Sequence, residues 1–243
     1  MKTMAIASEQ GDTLSVSIRK RKQEGLFPVI SEVKVRSDKE GDLLFGRDPV
    51  ALAQEMAGSP IAGISVVTEP EHFGGNMGLL RSIATAINLP ILHKDFITTE
   101  RQIEESAAAG ASAILLITAM LEMERMTRLI EHARHYGLET LVEAHDIAEI
   151  QRVEQLPFDL MGINNRDIII YEVDDTDVGR TEALARFCTG RRPLISESSI
   201  SSADDVRRAG ISGADAVLVG TAVLQAPSIK AFLDELATVG WPL

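Results

Sequence analysis

Two lysines and three glutamates stand near the ends of short apolar runs, and side chains of these types carry out acid–base chemistry. They are Glu32, Lys34, Lys94, Glu143 and Glu197. Any one of them is explained by an ion pair that closes the mouth of a barrel. Five buried charges brought together would lose much hydration free energy unless a function required them. Mutual proximity also pushes pKa values apart, so the set indicates a site for proton transfer.

Eight apolar runs along the chain are candidates for the strands that position these charges. Their starts lie 20 to 34 residues apart, which leaves room for a loop and a helix between strands. The predicted strands are 28–34, 62–68, 89–96, 113–121, 140–146, 160–167, 193–200 and 216–224. Continuous apolar runs are typical of parallel strands that are buried on both faces. Eight such units favour an α/β fold, a (β/α)8 TIM barrel, over a doubly wound open sheet, for which no GxGxxG follows the first run.

The predicted barrel forms a single domain over residues 1–243. Residues 1–27 precede the first strand, and "TLSVSIRKRKQEG" within them predicts a short basic helix that acts as a lid or as a plug under the barrel. Between strands, Thr99 and Gln102 have the spacing of a capping box, and Gly110 can end the helix that follows.

Composition excludes several classes of function. The 243 residues carry 24 Lys and Arg against 36 Asp and Glu, a formal net charge of -12, which disfavours nucleic acid and anionic membranes as partners. Cys188 is the only cysteine, and the N-terminal apolar patch is too short for a secretory signal, so we expect a cytoplasmic protein. No CxxC or HExxH motif is present, and we expect no metal site.

Small residues stand toward the carboxyl ends of the last two predicted strands. Ser199, Gly220 and Thr221 can present backbone N–H groups to an anion there. Barrels of this class commonly bind phosphate with the loops after strands seven and eight, so we expect a phosphate site.

The chain resembles the indole-3-glycerol phosphate synthase family from about residue 28 to residue 225. The motifs that carry the resemblance are "ISEVKVRS", "ISVVTEPEHFGG", "LPILHKDFI", "LVEAHD", "GINNRD", "ISES" and "LVGTAVL", in the order and spacing of the family. The resemblance implies a lyase of tryptophan biosynthesis that needs no cofactor and acts on 1-(2-carboxyphenylamino)-1-deoxyribulose 5-phosphate. An aryl carbon attacks the ketone, CO2 and water leave, and an indole ring closes.

The resemblance also implies roles for individual residues. Its catalytic positions match Lys94, Lys34, Glu143, Glu32, Asn164, Glu197 and Ser198. Its substrate-binding positions match Ser37, Phe73, Phe96, Arg166, Ser199, Gly220 and Thr221. Lys94 corresponds to the general acid, whereas the choice of proton acceptor between Glu143 and Glu32 stays open. Phe73 and Phe96 are equally compatible with core packing and with a wall for the aromatic ring.

The sequence departs from the family pattern at two places near the expected phosphate. Asp38-Lys39 replaces the usual Pro-Ser after Ser37, and Ser199 replaces a glycine. Asp38 would disfavour a nearby anion and Lys39 would offset it. Serine tolerates a positive φ less well than glycine does. Among the properties that the resemblance implies, phosphate affinity is therefore the one that these substitutions affect most.

Two other functions fit a barrel with a phosphate site. A phosphosugar isomerase of the aminoribulose-phosphate type would not need both Lys34 and Lys94. A non-catalytic relative that serves as a binding partner should have lost one of the five charges, and none is missing. For the synthase itself we expect a small-molecule phosphosugar–anthranilate substrate and a monomer or weak homo-oligomer.

Overall fold

Eight parallel strands close into a barrel in the computed structural model, which describes residues 12–166, 177–190 and 192–243. In chain order the strands are β1 Val29–Val33, β2 Gly63–Val67, β3 Ile91–Lys94, β4 Ala113–Ile117, β5 Glu139–Ala144, β6 Leu160–Asn164, β7 Leu194–Glu197 and β8 Ala216–Val219. Each strand pairs with the next, and β1 closes the ring by pairing with β8, where Val29 lies opposite Val217. The predicted barrel is therefore confirmed, and the open sheet is excluded.

Helices alternate with these strands in the described ranges. They are α1 Leu14–Gln23, α2 Pro49–Ala57, α3 Met77–Ala86, α4 Glu100–Ala109, α5 Met123–His135, α6 Ile147–Val153, α7 Gly179–Leu184, α8 Ala203–Ile211, α9 Thr221–Gln225 and α10 Ile229–Ala237. A two-residue hairpin, Arg36–Ser37 with Gly41–Asp42, follows β1. The capping box predicted at Thr99 and Gln102 is present, and Gly110 ends α4 with a φ of 92°. Across the same ranges, no helix combines the length and apolarity needed to cross a membrane.

Several predicted strands extend too far at their carboxyl ends. The run 113–121 is a strand only to Ile117 and continues as a 3-10 helix, and the run 216–224 ends at Val219 before α9 begins. The cause is that Val223 and Leu224 on α9 are also buried, at 0% and 1% exposure. An apolar run cannot show by itself where a buried strand gives way to a buried helix. Residue 167 of the sixth predicted strand lies outside the described residues.

The predicted helix before β1 is confirmed as α1, which plugs the amino-terminal end of the barrel. Its Leu14 and Ile18 are fully buried and pack among apolar side chains of the barrel interior, such as Leu92. At the start of α1, the Ser15 N–H donates to the Glu139 carboxylate on β5 at 2.9 Å. The opposite, carboxyl-terminal end of the barrel is thus left for a site. Residues 1–11 of the predicted extension lie outside the described residues.

Candidate active site

The predicted charges meet at the carboxyl-terminal end of the barrel. Lys94 Nζ donates to Glu197 Oε2 at 3.0 Å and lies 3.7 Å from Glu32 Oε2. Lys34 Nζ lies 3.4 Å from Glu32 Oε1. Residues far apart in the sequence come together because parallel strands all end on the same side of the barrel. Positive and negative groups therefore alternate along the contacts that join Lys34, Glu32, Lys94 and Glu197.

Lys94 is held in its ammonium form. Burial disfavours the charge, but Glu197, Glu32 and Glu143 outweigh that effect and raise the pKa of Lys94 above its ordinary value. Its side chain keeps 17% exposure, whereas the Glu197 side chain has none. Lys94 thus carries a proton at neutral pH and can present it to a molecule at the barrel mouth.

The three glutamates differ in their readiness to be charged. Burial raises the pKa of Glu197 to about 7, and Lys94 offsets this only in part. Burial also acts against the charge on Glu32, but Lys94 and Lys34 prevail and lower its pKa. The pKa of Glu197 therefore lies above the ordinary glutamate value and the pKa of Glu32 lies below it, a separation that is typical of acid–base sites.

Glu143 is the third carboxylate and lies on β5. It is completely buried, and neither of its oxygens accepts a well-aligned hydrogen bond from the described residues. Burial opposes its charge, but His145, Lys94 and Asn164 lower its pKa below the ordinary value. Glu143 is thus an ionised carboxylate with spare capacity to accept a proton.

Two adjoining cavities open above the cluster and share Glu32, Lys34, Lys39, Lys94, Arg166 and Ser198. The first cavity has apolar walls made by Phe73, Phe96, Leu115 and Ile117. The second is bordered by Ser199, Gly220 and Thr221 after β7 and β8. One flat apolar end and one polar end thus flank the charged cluster.

Asn164 lies between these parts and also borders the first cavity. Its Oδ1 accepts the N–H of Arg166 at 3.0 Å, which ties the end of β6 to the residue that borders both cavities. Phe96 is partly buried against the barrel interior and also lines the cavity, so core packing does not keep it away from the cleft.

The polar end of the cleft is built from unusual backbone. Ser198 and Ser199 have φ values of 67° and 57°, in the left-handed region that serine seldom occupies. Gly220 could not carry a side chain without a shift, because an added Cβ would lie 2.7 Å from Glu32 Oε1. The sequence-based expectation that Ser199 stands at a glycine-like position agrees with this geometry.

Three predicted site residues line neither cavity: Glu143, Glu197 and Ser37. The two glutamates have no exposed surface, whereas Ser37 lies in the hairpin after β1. It is buried, and its Oγ accepts the Glu40 N–H at 3.1 Å within the hairpin after β1. Its neighbour Asp38 faces His72 instead, with Oδ2 2.9 Å from Nδ1. The carboxylate of Asp38 is therefore engaged away from the polar end of the cleft, where Lys39 contributes to the walls of both cavities.

A possible metal-ligand group is present close to the cleft. The ligand atoms of Glu69, Glu71 and His72 lie within 4.8 Å of one another. Glu69 already accepts the N–H groups of Glu71, His72 and Phe73, at 2.8, 2.8 and 3.1 Å. These contacts with the loop after β2 account for the arrangement without an ion.

Three residues that support the site were not predicted from the sequence. His145 contacts Glu143, with Nε2 3.3 Å from Oε1. Asn165 donates to the carbonyl oxygens of Glu197 and Ser198 at 3.0 and 3.1 Å, which fixes the end of β7. Gly162 faces the Glu197 carboxylate so closely that no side chain would fit between them. Only His145 had a visible signal, as a titratable group two residues after a candidate catalytic glutamate.

Gly162→Ala should impair the site although the residue is not itself polar. An added Cβ would lie 2.2 Å from Glu197 Oε1 and 3.3 Å from Leu141 Cδ1, so the carboxylate that holds Lys94 must shift. We expect kcat to fall about tenfold or more, because displacements of about 1 Å can cost up to 10²-fold. Steady-state kinetics alongside thermal unfolding will check this. Gly58→Ala at the end of α2, where φ is -74°, is the control. Unchanged kcat in Gly162→Ala would mean that the Glu197 position is not critical.

The sequence is similar to one family of known proteins over nearly its whole length. The sequence model described as indole-3-glycerol phosphate synthase matches residues 2–236. Proteins of that name include one from Thermococcus kodakarensis, 41% identical, with 93% of this chain and 97% of the relative covered. Another, from Pyrococcus furiosus, is 42% identical with 91% and 95% covered, and one from Nocardioides sp. is 43% identical with 81% and 75% covered.

Solved structures of lower similarity share the fold. A thiamine phosphate pyrophosphorylase from Pyrococcus furiosus superposes with a TM-score of 0.63 at 13% identity, covering 89% of this chain and 95% of the other. An N-acetylmannosamine-6-phosphate 2-epimerase from Clostridium perfringens gives 0.65 at 17% identity, covering 82% and 88%. At these identities the likeness supports the barrel architecture alone.

Proposed function

The chain belongs to the indole-3-glycerol phosphate synthase family, and we propose that its barrel closes the indole ring with Lys94 as the general acid. The substrate is 1-(2-carboxyphenylamino)-1-deoxyribulose 5-phosphate, and the products are indole-3-glycerol phosphate, CO2 and water. The observation that carries the proposal is the partly buried Lys94 ammonium, 3.0 Å from Glu197 at the floor of a cleft with one apolar and one polar end.

The cleft suits the two ends of this substrate. The carboxyphenyl ring lies between Phe73 and Phe96, and the phosphate is held by the backbone around Ser199, Gly220 and Thr221. Placing both ends brings the ketone to the charged cluster between the cavities. Arg166, which borders both cavities, adds a positive charge beside the phosphate.

Proton transfers follow from the state of each group. As the aryl carbon attacks, Lys94 protonates the ketone oxygen, and the ring carboxylate leaves as CO2. In the dehydration that follows, Lys34 protonates the departing hydroxyl, and Glu143 accepts the ring proton whose loss makes the new five-membered ring aromatic. Two protons are given and one is taken, so each turnover takes up one proton, which balances the loss of a carboxylate as neutral CO2.

The remaining groups orient these three. Glu197 and Glu32 hold the two ammonium groups at 3.0 and 3.4 Å respectively. Asn164 and Ser198 line the wall toward the sugar hydroxyls. We further propose that residues 1–243 act as a single domain, in the cytoplasm, as a monomer or weak homo-oligomer.

A fluorescence assay of the purified chain tests the function directly. Incubation with the arylamino-deoxyribulose phosphate should produce indole fluorescence without added metal or cofactor. A folded sample that forms no indole product would contradict the proposal and favour a non-catalytic relative of the synthase.

Ser199→Gly should keep or improve affinity for the substrate. Serine at a φ of 57° is strained, and a left-handed residue with a side chain costs about 1–2 kcal/mol, which glycine avoids. We therefore expect a KM equal to or below that of the parent chain, measured by steady-state kinetics, together with no loss of thermal stability. A large rise in KM would mean that the Ser199 hydroxyl itself binds the substrate.

A further inference from the structure

A buried histidine that the proposed mechanism does not use lies between two carboxylates. His145 follows β5 directly, and its side chain is only 9% exposed. Its Nε2 lies 3.3 Å from Glu143 Oε1, and its Nδ1 lies 3.2 Å from Glu149 Oε2 on α6. The imidazole therefore links the buried glutamate of the site to a helix on the outside of the barrel.

The start of α6 fixes the orientation of this ring. Asp146 caps the helix by accepting the Glu149 N–H at 2.8 Å, which places the Glu149 carboxylate in the first turn. That carboxylate turns back to accept the backbone N–H of His145 at 2.7 Å as well as facing the ring. Helix capping, the Glu149 position and the His145 ring thus form one sequence of contacts that ends at Glu143.

Glu143 needs such a neighbour more than the other glutamates of the site do. Glu32 and Glu197 have lysine ammonium groups within 3.0 to 3.7 Å, whereas among the ion pairs of the described residues Glu143 is paired with His145 and not with a lysine. A fully buried carboxylate without a close cation would take up a proton and lose its function as a base. His145 is the close cationic partner that the described contacts provide for it.

We propose that His145 is a positioning residue that holds Glu143 ionised and directed for proton transfer in the ring-closing reaction. This inference rests on the proposed function. Glu143 and Glu149 are the carboxylates that act on the ring, and Lys94 also acts on Glu143. In agreement with the geometry, these two carboxylates outweigh burial and raise the pKa of His145 to about 10, so the ring is charged through the neutral range.

Replacement of the ring tests the proposal. In His145→Gln the Glu143 carboxylate loses its cation, and loss of an opposite charge at this range raises a carboxylate pKa by about 1–3 units. We expect the acidic limb of the kcat–pH profile to move to higher pH by about 1–3 units, kcat on that limb, at about pH 5, to fall about tenfold or more, and KM to change by less than about twofold. Activity should recover in part as the pH is raised, which a merely loosened barrel would not produce.

A matched surface histidine provides the control. His132 on α5 has the same kind of contact, with Nε2 3.3 Å from Glu104 Oε1, but its partner is outside the site. His132→Gln should therefore leave kcat and its pH profile unchanged. The parent chain must form product in the same assay, because its inactivity would contradict the proposed function rather than the role of His145.

A double variant decides whether His145 acts through Glu143. If it does, His145→Gln should cost no further activity in a chain that already carries Glu143→Gln. Multiplying losses would overturn the proposal and make His145 a structural residue, as would a normal kcat–pH profile in the single variant. If His145→Gln fails to fold, Glu149→Gln is measured instead, and it should move the acidic limb in the same direction by a smaller amount, because the ring stays but loses one of the two carboxylates that raise its pKa. An unshifted limb there would likewise overturn the proposal.

Discussion

Replacing Lys94 by alanine should lower kcat by about 100-fold or more while the barrel stays folded. The ammonium that protonates the ketone oxygen is lost, and no other group occupies its place between Glu197 and Glu32. The barrel should persist because the three glutamates, once their cation is gone, can take up protons instead of remaining charged in a buried space. Indole fluorescence gives kcat, and circular dichroism with thermal unfolding reports the fold.

The control for this variant is a lysine of equal charge outside the cleft. Lys230 on α10 is largely exposed and pairs with Asp234, one turn further along the helix. Lys230→Ala should keep the activity of the parent chain. Near-normal turnover in Lys94→Ala, with a folded sample, would remove Lys94 from the chemistry and leave Lys34 as the general acid for both protonations.

The sequence was sufficient to predict the barrel and its charged cluster for a physical reason. A strand buried on both faces gives a long apolar run, so a charged residue at the end of one stands out. Lys94 in "LPILHKDFI" illustrates this, since its run lies in the barrel wall and its ammonium lies at the mouth. Eight repeats of the pattern then predict that such ends converge.

The supporting contacts could not be predicted because they depend on distances across strands. Gly162 and Glu197 are 35 positions apart, and only the register that sets Asn164 opposite Glu197 brings the carboxylate over the glycine. Asp38 is a similar case. Its carboxylate lies 2.9 Å from Nδ1 of His72, 34 residues further on, and nothing in the sequence indicated that contact.

The carboxyl ends of several strands were also predicted wrongly, and these ends carry residues of the site. The prediction placed Thr221 within a strand, whereas it begins α9. The structure thus puts Gly220 at a strand-to-helix turn, where its lack of a side chain leaves room for Glu32. Which backbone groups face the cleft depends on that turn, and composition alone does not reveal it.

Glu143→Gln should be the other severe variant, with a loss of kcat of about 10²- to 10⁴-fold and little change in KM. Glutamine keeps the shape of the side chain but cannot accept the proton released in dehydration. The expected loss follows from the surroundings of Glu143, which is fully buried, ionised and without a well-aligned hydrogen-bond donor among the described residues. Single-turnover kinetics should show the ring-closed intermediate accumulating before water is lost.

The matched control lies on the same strand at the opposite end of the barrel. Glu139 accepts hydrogen bonds from Thr13 and the backbone N–H of Ser15, so Glu139→Gln should loosen α1 and lower the melting temperature without changing kcat. Glu32→Gln completes the comparison, since Glu32 is the alternative proton acceptor. Suppose that Glu143→Gln keeps its activity, while Glu32→Gln loses it and accumulates the ring-closed intermediate. The base is then Glu32, and His145 has no catalytic partner. If Glu143→Gln alone stalls at dehydration, the proton passes to Glu143, and Glu32 serves to hold Lys34 and Lys94 in place.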